Sequence, residues 1–123
     1  MTHPSFILLY VNDPQASGRF YAGLLDAKPV EESPTFVLFA LPSGLKLGLW
    51  SAKTVSPAPA NKPGAMEVAI LEEHDRAVDA THAAWKARGV NITQAPTNMD
   101  FGRTFLALDP DGHRLRVFAL PSQ

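Results

Sequence analysis

The chain has no cysteine, so disulfides, thiolate zinc sites and a cysteine nucleophile are excluded together. Neither sign of charge dominates. The 11 Lys and Arg and 12 Asp and Glu leave a formal net charge of −1, which is no footprint for nucleic acid or an anionic membrane. Long apolar runs are also missing. The N-terminal MTHPSFILLYVND holds only a six-residue apolar stretch and no basic leader, so neither a signal peptide nor a membrane span is expected. The cytoplasm is the default compartment. The 4 histidines are scattered. His74 and His82 lie two turns apart on one predicted helix, about 12 Å along its axis, too far to share an ion. His3 and His113 read as surface or packed side chains. No Ser-His-Asp order stands out, and the turns at Gly44, Gly64 and Gly102 lack the context of a phosphate-cradling loop.

What is present is an ordinary globular composition, 46% hydrophobic and 19% charged over 123 residues, most simply one domain. The most distinctive stretch is Asp100–Leu120, DFGRTFLALDPDGHRLRVFAL. Two apolar-rich runs, Arg103–Leu108 and His113–Leu120, flank Asp109-Pro110-Asp111-Gly112. Pro110 presets the backbone for a type I turn, and Gly112 supplies the left-handed residue of a bulged hairpin loop. Turn chemistry accounts for Asp109 and Asp111. In the return strand, Arg114, Arg116 and Phe118 alternate with His113, Leu115 and Val117, so two guanidiniums and a ring share one face.

Taken in order, Phe6–Val11 reads as a buried strand. Asp13 and Pro14 supply an N-cap and first helical position, and Ala16, Phe20 and Leu24 recur at helical spacing with Tyr21 and Leu25 beside them. Gly18 and Gly23 weaken that helix intrinsically, so it depends on packing. Strands follow over Pro29–Glu32, Phe36–Leu41 and Leu45–Ser51. In the last, Leu45, Leu47 and Leu49 face the helix, which turns Lys46, Gly48 and Trp50 the other way. Gly48 then leaves room for something flat to approach the sheet. Trp50 itself suits either a binding surface or a core or dimer contact. Ala52–Gly64, with three prolines in thirteen residues, reads as an extended linker. Beyond it come a strand over Ala65–Leu71, a helix over Glu72–Arg88 with Val78, Thr81 and Trp85 inward and Gly89 as C-cap, a strand over Val90–Gln94, and the closing hairpin.

The halves, residues 5–51 and 65–120, share one order: strand, helix, strand, strand, strand. This repeat, at a spacing of about sixty residues, predicts an α+β fold of two βαβββ modules whose sheets curve around a cavity with helices outside.

VNDPQASGRFYAGLL and FLALDPDGHRLRVF resemble the opening strand and helix and the closing hairpin of the vicinal-oxygen-chelate superfamily, which holds glyoxalases, extradiol dioxygenases and bleomycin-binding proteins. Phe101-Gly102-Arg103-Thr104-Phe105-Leu106 and Trp50-Ser51 resemble the phenazine-antibiotic resistance proteins in particular. The resemblance implies a homodimer that shares strands and sequesters a planar aromatic antibiotic. It also implies that metal-dependent relatives draw ligands from the first and fourth strands of each half. The matching positions here are Phe6, Trp50, Glu67 and Arg116. Phenylalanine and tryptophan cannot ligate a divalent cation, a guanidinium repels one, and one carboxylate falls short of a catalytic set. No metal and no cofactor are therefore expected.

The expected ligand surface comprises Phe6, Tyr10, Trp50, Glu67, Arg103, Arg116 and Phe118, with Leu8, Ala69, Phe101 and Arg114 nearby. The rings would stack on a flat ligand, while Arg116, with Arg114 beside it, meets a carboxylate. Two readings of Glu67 and Arg116 stand side by side: an ion pair with each other, or contacts to ligand. The faces of Phe101 and Arg103 depend on register, since a one-residue slip reverses both. The rival functions are a metal-dependent lyase, isomerase or dioxygenase, and a cofactor-free enzyme with Glu67 as general base and Arg116 holding an anion.

Overall fold

The computed structural model describes residues 2–121, and the chain divides at Lys62/Pro63 into two compact units. Each unit is a βαβββ module. The first contains β1 (Phe6–Val11), α1 (Pro14–Leu25), β2 (Glu31–Glu32), β3 (Phe36–Ala40) and β4 (Lys46–Ser51). The second contains β5 (Glu67–Glu72), α2 (Asp75–Ala87), β6 (Asn91–Met99), β7 (Gly102–Leu108) and β8 (Arg114–Ala119). Both sheets are mixed and four-stranded, ordered β1-β4-β3-β2 and β5-β8-β7-β6. The first strand of each module pairs in parallel with its last, and the remaining pairs are antiparallel. No described helix is long and apolar enough to cross a membrane.

In the first module, Asp13 caps α1, its carboxylate accepting the N–H groups of Gln15 and Ala16 at 3.1 and 3.2 Å. Such a cap contributes about 1 kcal/mol. The buried line of α1 runs through Pro14, Ser17, Gly18 and Tyr21, so the helix is rotated from the expected Ala16–Phe20–Leu24 stripe. Gly18 explains the rotation. A Cβ there would stand 3.2 Å from Val37 Cγ1, so the missing side chain lets helix and β3 approach closely. Leu9, Val11, Val37, Phe39, Leu47 and Leu49 fill the sheet's helix-side face. The opposite face carries Phe6, Leu8 and Tyr10, all exposed. β1 is thus two-faced rather than wholly buried. Strand β2 is shorter than expected, two residues in place of four.

In the second module, Glu72 belongs to β5, and α2 begins only at Asp75, where His74 Nδ1 accepts the Ala77 N–H at 3.1 Å. The Thr81 hydroxyl donates to Glu72 at 3.3 Å and ties the helix to the strand it follows. Val78 and Trp85 are buried, with Trp85 set edge-on to Phe105. Gly89, at φ +83, closes the helix as expected. Strand β6 runs through Pro96 to Met99, beyond the break expected at that proline. It is an edge strand with irregular register between Ile92 and Thr97, where a missing N–H costs no ladder bond.

The hairpin forms as its turn residues require. Gly112 has φ +95, the Asp109 N–H donates to the His113 carbonyl at 3.0 Å, and Asp109 Oδ1 accepts the N–H groups of Asp111 and His113 at 2.9 Å each. The segment after β4 begins in a turn, with the Thr54 hydroxyl donating to the Ser51 carbonyl, and it buries Val55.

Candidate functional site

In the first module the helix-free face is apolar. Cross-strand register places Phe6 beside Lys46, Leu8 beside Gly48 and Tyr10 beside Trp50, and on the far side Leu38 beside Gly48 and Phe36 beside Trp50. Tyr10 and Trp50 meet edge to face, centroids 6.0 Å apart and planes at 79°. Lys46 Nζ sits 5.2 Å from the centroid of the Phe6 ring. The space expected above Gly48 is taken by the module's own side chains. A Cβ there would come within 2.7 Å of Leu8 Cδ2 and 2.9 Å of Phe36 Cζ. Glycine therefore lets Leu8 and Phe36 close over the strand. What this face leaves uncovered is the exposed side of Phe6, Leu8 and Tyr10 with the half-buried Trp50.

In the second module the helix-free face is charged at one end and aromatic at the other. Parallel pairing of β5 with β8 sets Glu67 beside Arg114, Ala69 beside Arg116 and Leu71 beside Phe118. Arg116 reaches diagonally to Glu67, Nε to Oε1 and Nη2 to Oε2 at 2.8 Å each. Its Nη1 donates to Gln94 Oε1 at 3.0 Å and to Thr104 Oγ1 at 3.3 Å. Arg114 meets Glu67 Oε2 through Nε at 3.1 Å and Nη2 at 3.0 Å. The hydrogen bond from Arg116 is the main cause that holds the Glu67 carboxyl below its ordinary value. Partial burial opposes it, and the charges of both arginines reinforce it. The same bond pushes Arg116 upward. A carboxylate so held is a poor proton acceptor, which weighs against a general-base role.

Phe101 and Phe118 meet edge to face, 6.0 Å between centroids. Arg103 is placed elsewhere. It pairs with Ala119, one step out of phase with Arg116, and so belongs to the helix side of the sheet. There its Nε donates to Asp79 of α2 at 2.7 Å and its Nη1 to Asn98 at 3.0 Å. Gln94 and Thr104, which hold Arg116 from the side away from Glu67, are absent from the sequence-based set. The hairpin turn carried the signal for Thr104, because a loop closed between Asp109 and His113 fixes Thr104 opposite Phe118.

The donor chemistry at the expected metal positions does not fit a divalent cation. Phe6 offers no lone pair, the indole of Trp50 only donates, and Arg116 already neutralises Glu67. A separate group, Asp109, Asp111 and His113, has ligand atoms within 4.8 Å of one another at the hairpin turn. One Asp109 oxygen there is engaged by the turn's own N–H groups.

A family model described as the Glyoxalase/Bleomycin resistance protein/Dioxygenase superfamily matches residues 3–117. The chain is 31% identical over 120 residues to phenazine antibiotic resistance protein EhpR of Enterobacter agglomerans, covering 95% of this chain and 92% of EhpR. A protein of Agrobacterium tumefaciens solved by NMR in solution is 54% identical, with 99% of this chain and 100% of that one covered at a TM-score of 0.91. A glyoxalase/bleomycin resistance protein/dioxygenase from Nocardioides is 26% identical, with coverage of 100% and 89% and a TM-score of 0.83. On the fold, the two-module sequence pattern and these matches, the chain belongs to the glyoxalase/bleomycin resistance protein/dioxygenase superfamily.

Proposed function

We propose that this protein binds a planar aromatic antibiotic or related metabolite, phenazine-like in shape, without a metal ion, and protects the cytoplasm by lowering the free concentration of that compound. Two copies form a homodimer in this reading. The observation that carries it is the open face of β1 and β4, where Phe6, Leu8, Tyr10 and Trp50 stand together uncovered by a helix. Covering such a face with a flat ring system removes apolar surface from water at about 25 cal/mol per Å². Stacking adds about 0.5–1.5 kcal/mol for each ring pair. Similarity to a phenazine antibiotic resistance protein supports the ligand class. The lowered pKa of Glu67 and the donor set at Phe6, Trp50 and Arg116 support binding over catalysis.

Protection by this mechanism is stoichiometric, since no bond is made or broken. A micromolar dissociation constant corresponds to about 8 kcal/mol, within reach of one buried tricycle. Calorimetric titration of chelator-treated protein with phenazine-1-carboxylate tests it. Saturable heat near one ligand per chain is the expected result. Heat that appears only after a divalent metal is added contradicts it and favours a metal-dependent enzyme.

A further inference from the structure

Among the paired positions of β1, β4 and β3 on the first module's helix-free face, one lacks a side chain, and it lies at the centre. Cross-strand register puts Gly48 between Leu8 of β1 and Leu38 of β3, with Tyr10, Trp50 and Phe36 forming the next row along the strands. Although no helix lies over it, Gly48 is buried, whereas Leu8 is exposed and Phe36 is half-buried. The cover comes from the ends of those two side chains. Leu8 Cδ2, Phe36 Cζ and Phe36 Cε1 lie 2.7, 2.9 and 3.0 Å from where a Cβ at position 48 would stand.

Two side chains from different strands thus fold down into the place of a third. Phe36 pairs with Trp50 but leans diagonally onto the glycine, so its ring and Leu8 form the floor next to Trp50. Phe36 was not among the expected ligand residues.

We infer that Gly48 is a positioning residue of the binding face, that Phe36 is a contact residue seated by it, and that together they set how many fused rings the face holds flat. The inference rests on the proposed binding of a planar aromatic to this face. Two residues along a strand span about 7 Å, so a short ring system placed at Trp50 stays in that row, and a longer one extends over Leu8 and Phe36. The added ring finds contact only while those two side chains lie low. A methyl group at position 48 pushes both outward, because ordinary contact begins at 3.4 Å, and the floor becomes a ridge. Lifting a ring by about 0.5–1 Å forfeits a quarter to a half of its dispersion attraction over the rest of the surface.

Calorimetric titrations with phenazine-1-carboxylate, of three fused rings, and quinoxaline-2-carboxylate, of two, test this. In Gly48→Ala the affinity for the three-ring compound is expected to fall at least about tenfold and that for the two-ring compound by less than about twofold. Phe36→Leu adds no crowding at position 48 and is expected to shift the ratio of the two affinities in the same direction by several-fold. A merely structural role would weaken both compounds alike. Equal losses, or no loss, in Gly48→Ala overturn the inference and leave aromatic binding standing, as does an unchanged ratio in Phe36→Leu. Failure of wild-type protein to bind phenazine-1-carboxylate overturns the proposed function, and this inference with it.

Discussion

Arg116 grips Glu67 side-on, Nε to Oε1 and Nη2 to Oε2 at 2.8 Å each, across neighbouring strands, the two residues lying 49 apart in the chain. The pair closes the pairing of β5 with β8 and fixes the charge pattern of the second module's open face. Its strength is readable in the acid limb of stability. The Glu67 carboxyl titrates lower in the folded chain than in the unfolded one, chiefly because of the bond from Arg116. The stabilisation is therefore full above the ordinary glutamate range and is lost as pH falls through the lowered folded value. Glu67→Gln is expected to cost about 1–2 kcal/mol at neutral pH, solvent screening of a partly exposed pair having been allowed for. The difference from wild type should shrink on acidification. Urea unfolding of both proteins across a pH series checks this, and a difference independent of pH would contradict it.

Thr104 is the buried end of the same network, donating to the Val117 carbonyl at 2.8 Å and accepting from Arg116. Thr104→Val keeps the shape and removes both bonds. It is expected to lower stability by about 1–2 kcal/mol with an unchanged denaturant slope. A midpoint equal to wild type would show that the hydroxyl contributes nothing to holding Arg116.

Two glycines should respond very differently to alanine. At Gly102, with φ +132, a Cβ runs into the Ala119 carbonyl oxygen of the adjacent strand, and backbone cannot step aside. That substitution is expected to cost about 3 kcal/mol or more. At Gly48 the obstructing atoms are the ends of Leu8 and Phe36, which can turn, and about 1 kcal/mol is expected. Denaturant midpoints compare the two. Gly48→Ala proving the more damaging would mean that the surface over β4 is rigid.

Much of this was legible because side-chain alternation and turn chemistry are local. Pro14 after Asp13, Gly112 after Asp111, and leucines at 47 and 49 against Trp50 at the next position each specify a backbone state or a face. What was not legible depends on pairing between distant segments. The ion pair of Glu67 with Arg116 was one of the two expected readings and is present, but that Glu67 gathers Arg114 as well follows from β5 lying parallel to β8, which no spacing within either strand states. Arg103 fell on the helix side because its register is set across β7 and β8, where it pairs with Ala119, and its partner Asp79 lies on another element. Pro96 reads as a strand breaker locally and is tolerated because β6 is an edge. The α1 stripe was misjudged because Gly18 counts as a weak helix former in sequence but as a point of close approach to Val37 in space.

The proposed homodimer predicts a solution mass twice the 13.3 kDa of one chain. Sedimentation equilibrium at micromolar concentration measures it. A single-chain mass at that concentration would contradict the dimer while leaving the binding face intact.

Trp50 carries the central claim. It stands beside Tyr10 on the open face of the first module, its ring 6.0 Å from the tyrosine's. Calorimetric titration of metal-free protein with phenazine-1-carboxylate, repeated on Trp50→Ala, tests that claim most directly. The account predicts saturable binding by wild-type protein and a loss of at least about tenfold, some 1.4 kcal/mol, in the variant. Equal affinity in the two proteins, with the variant shown to be folded by circular dichroism, would contradict it.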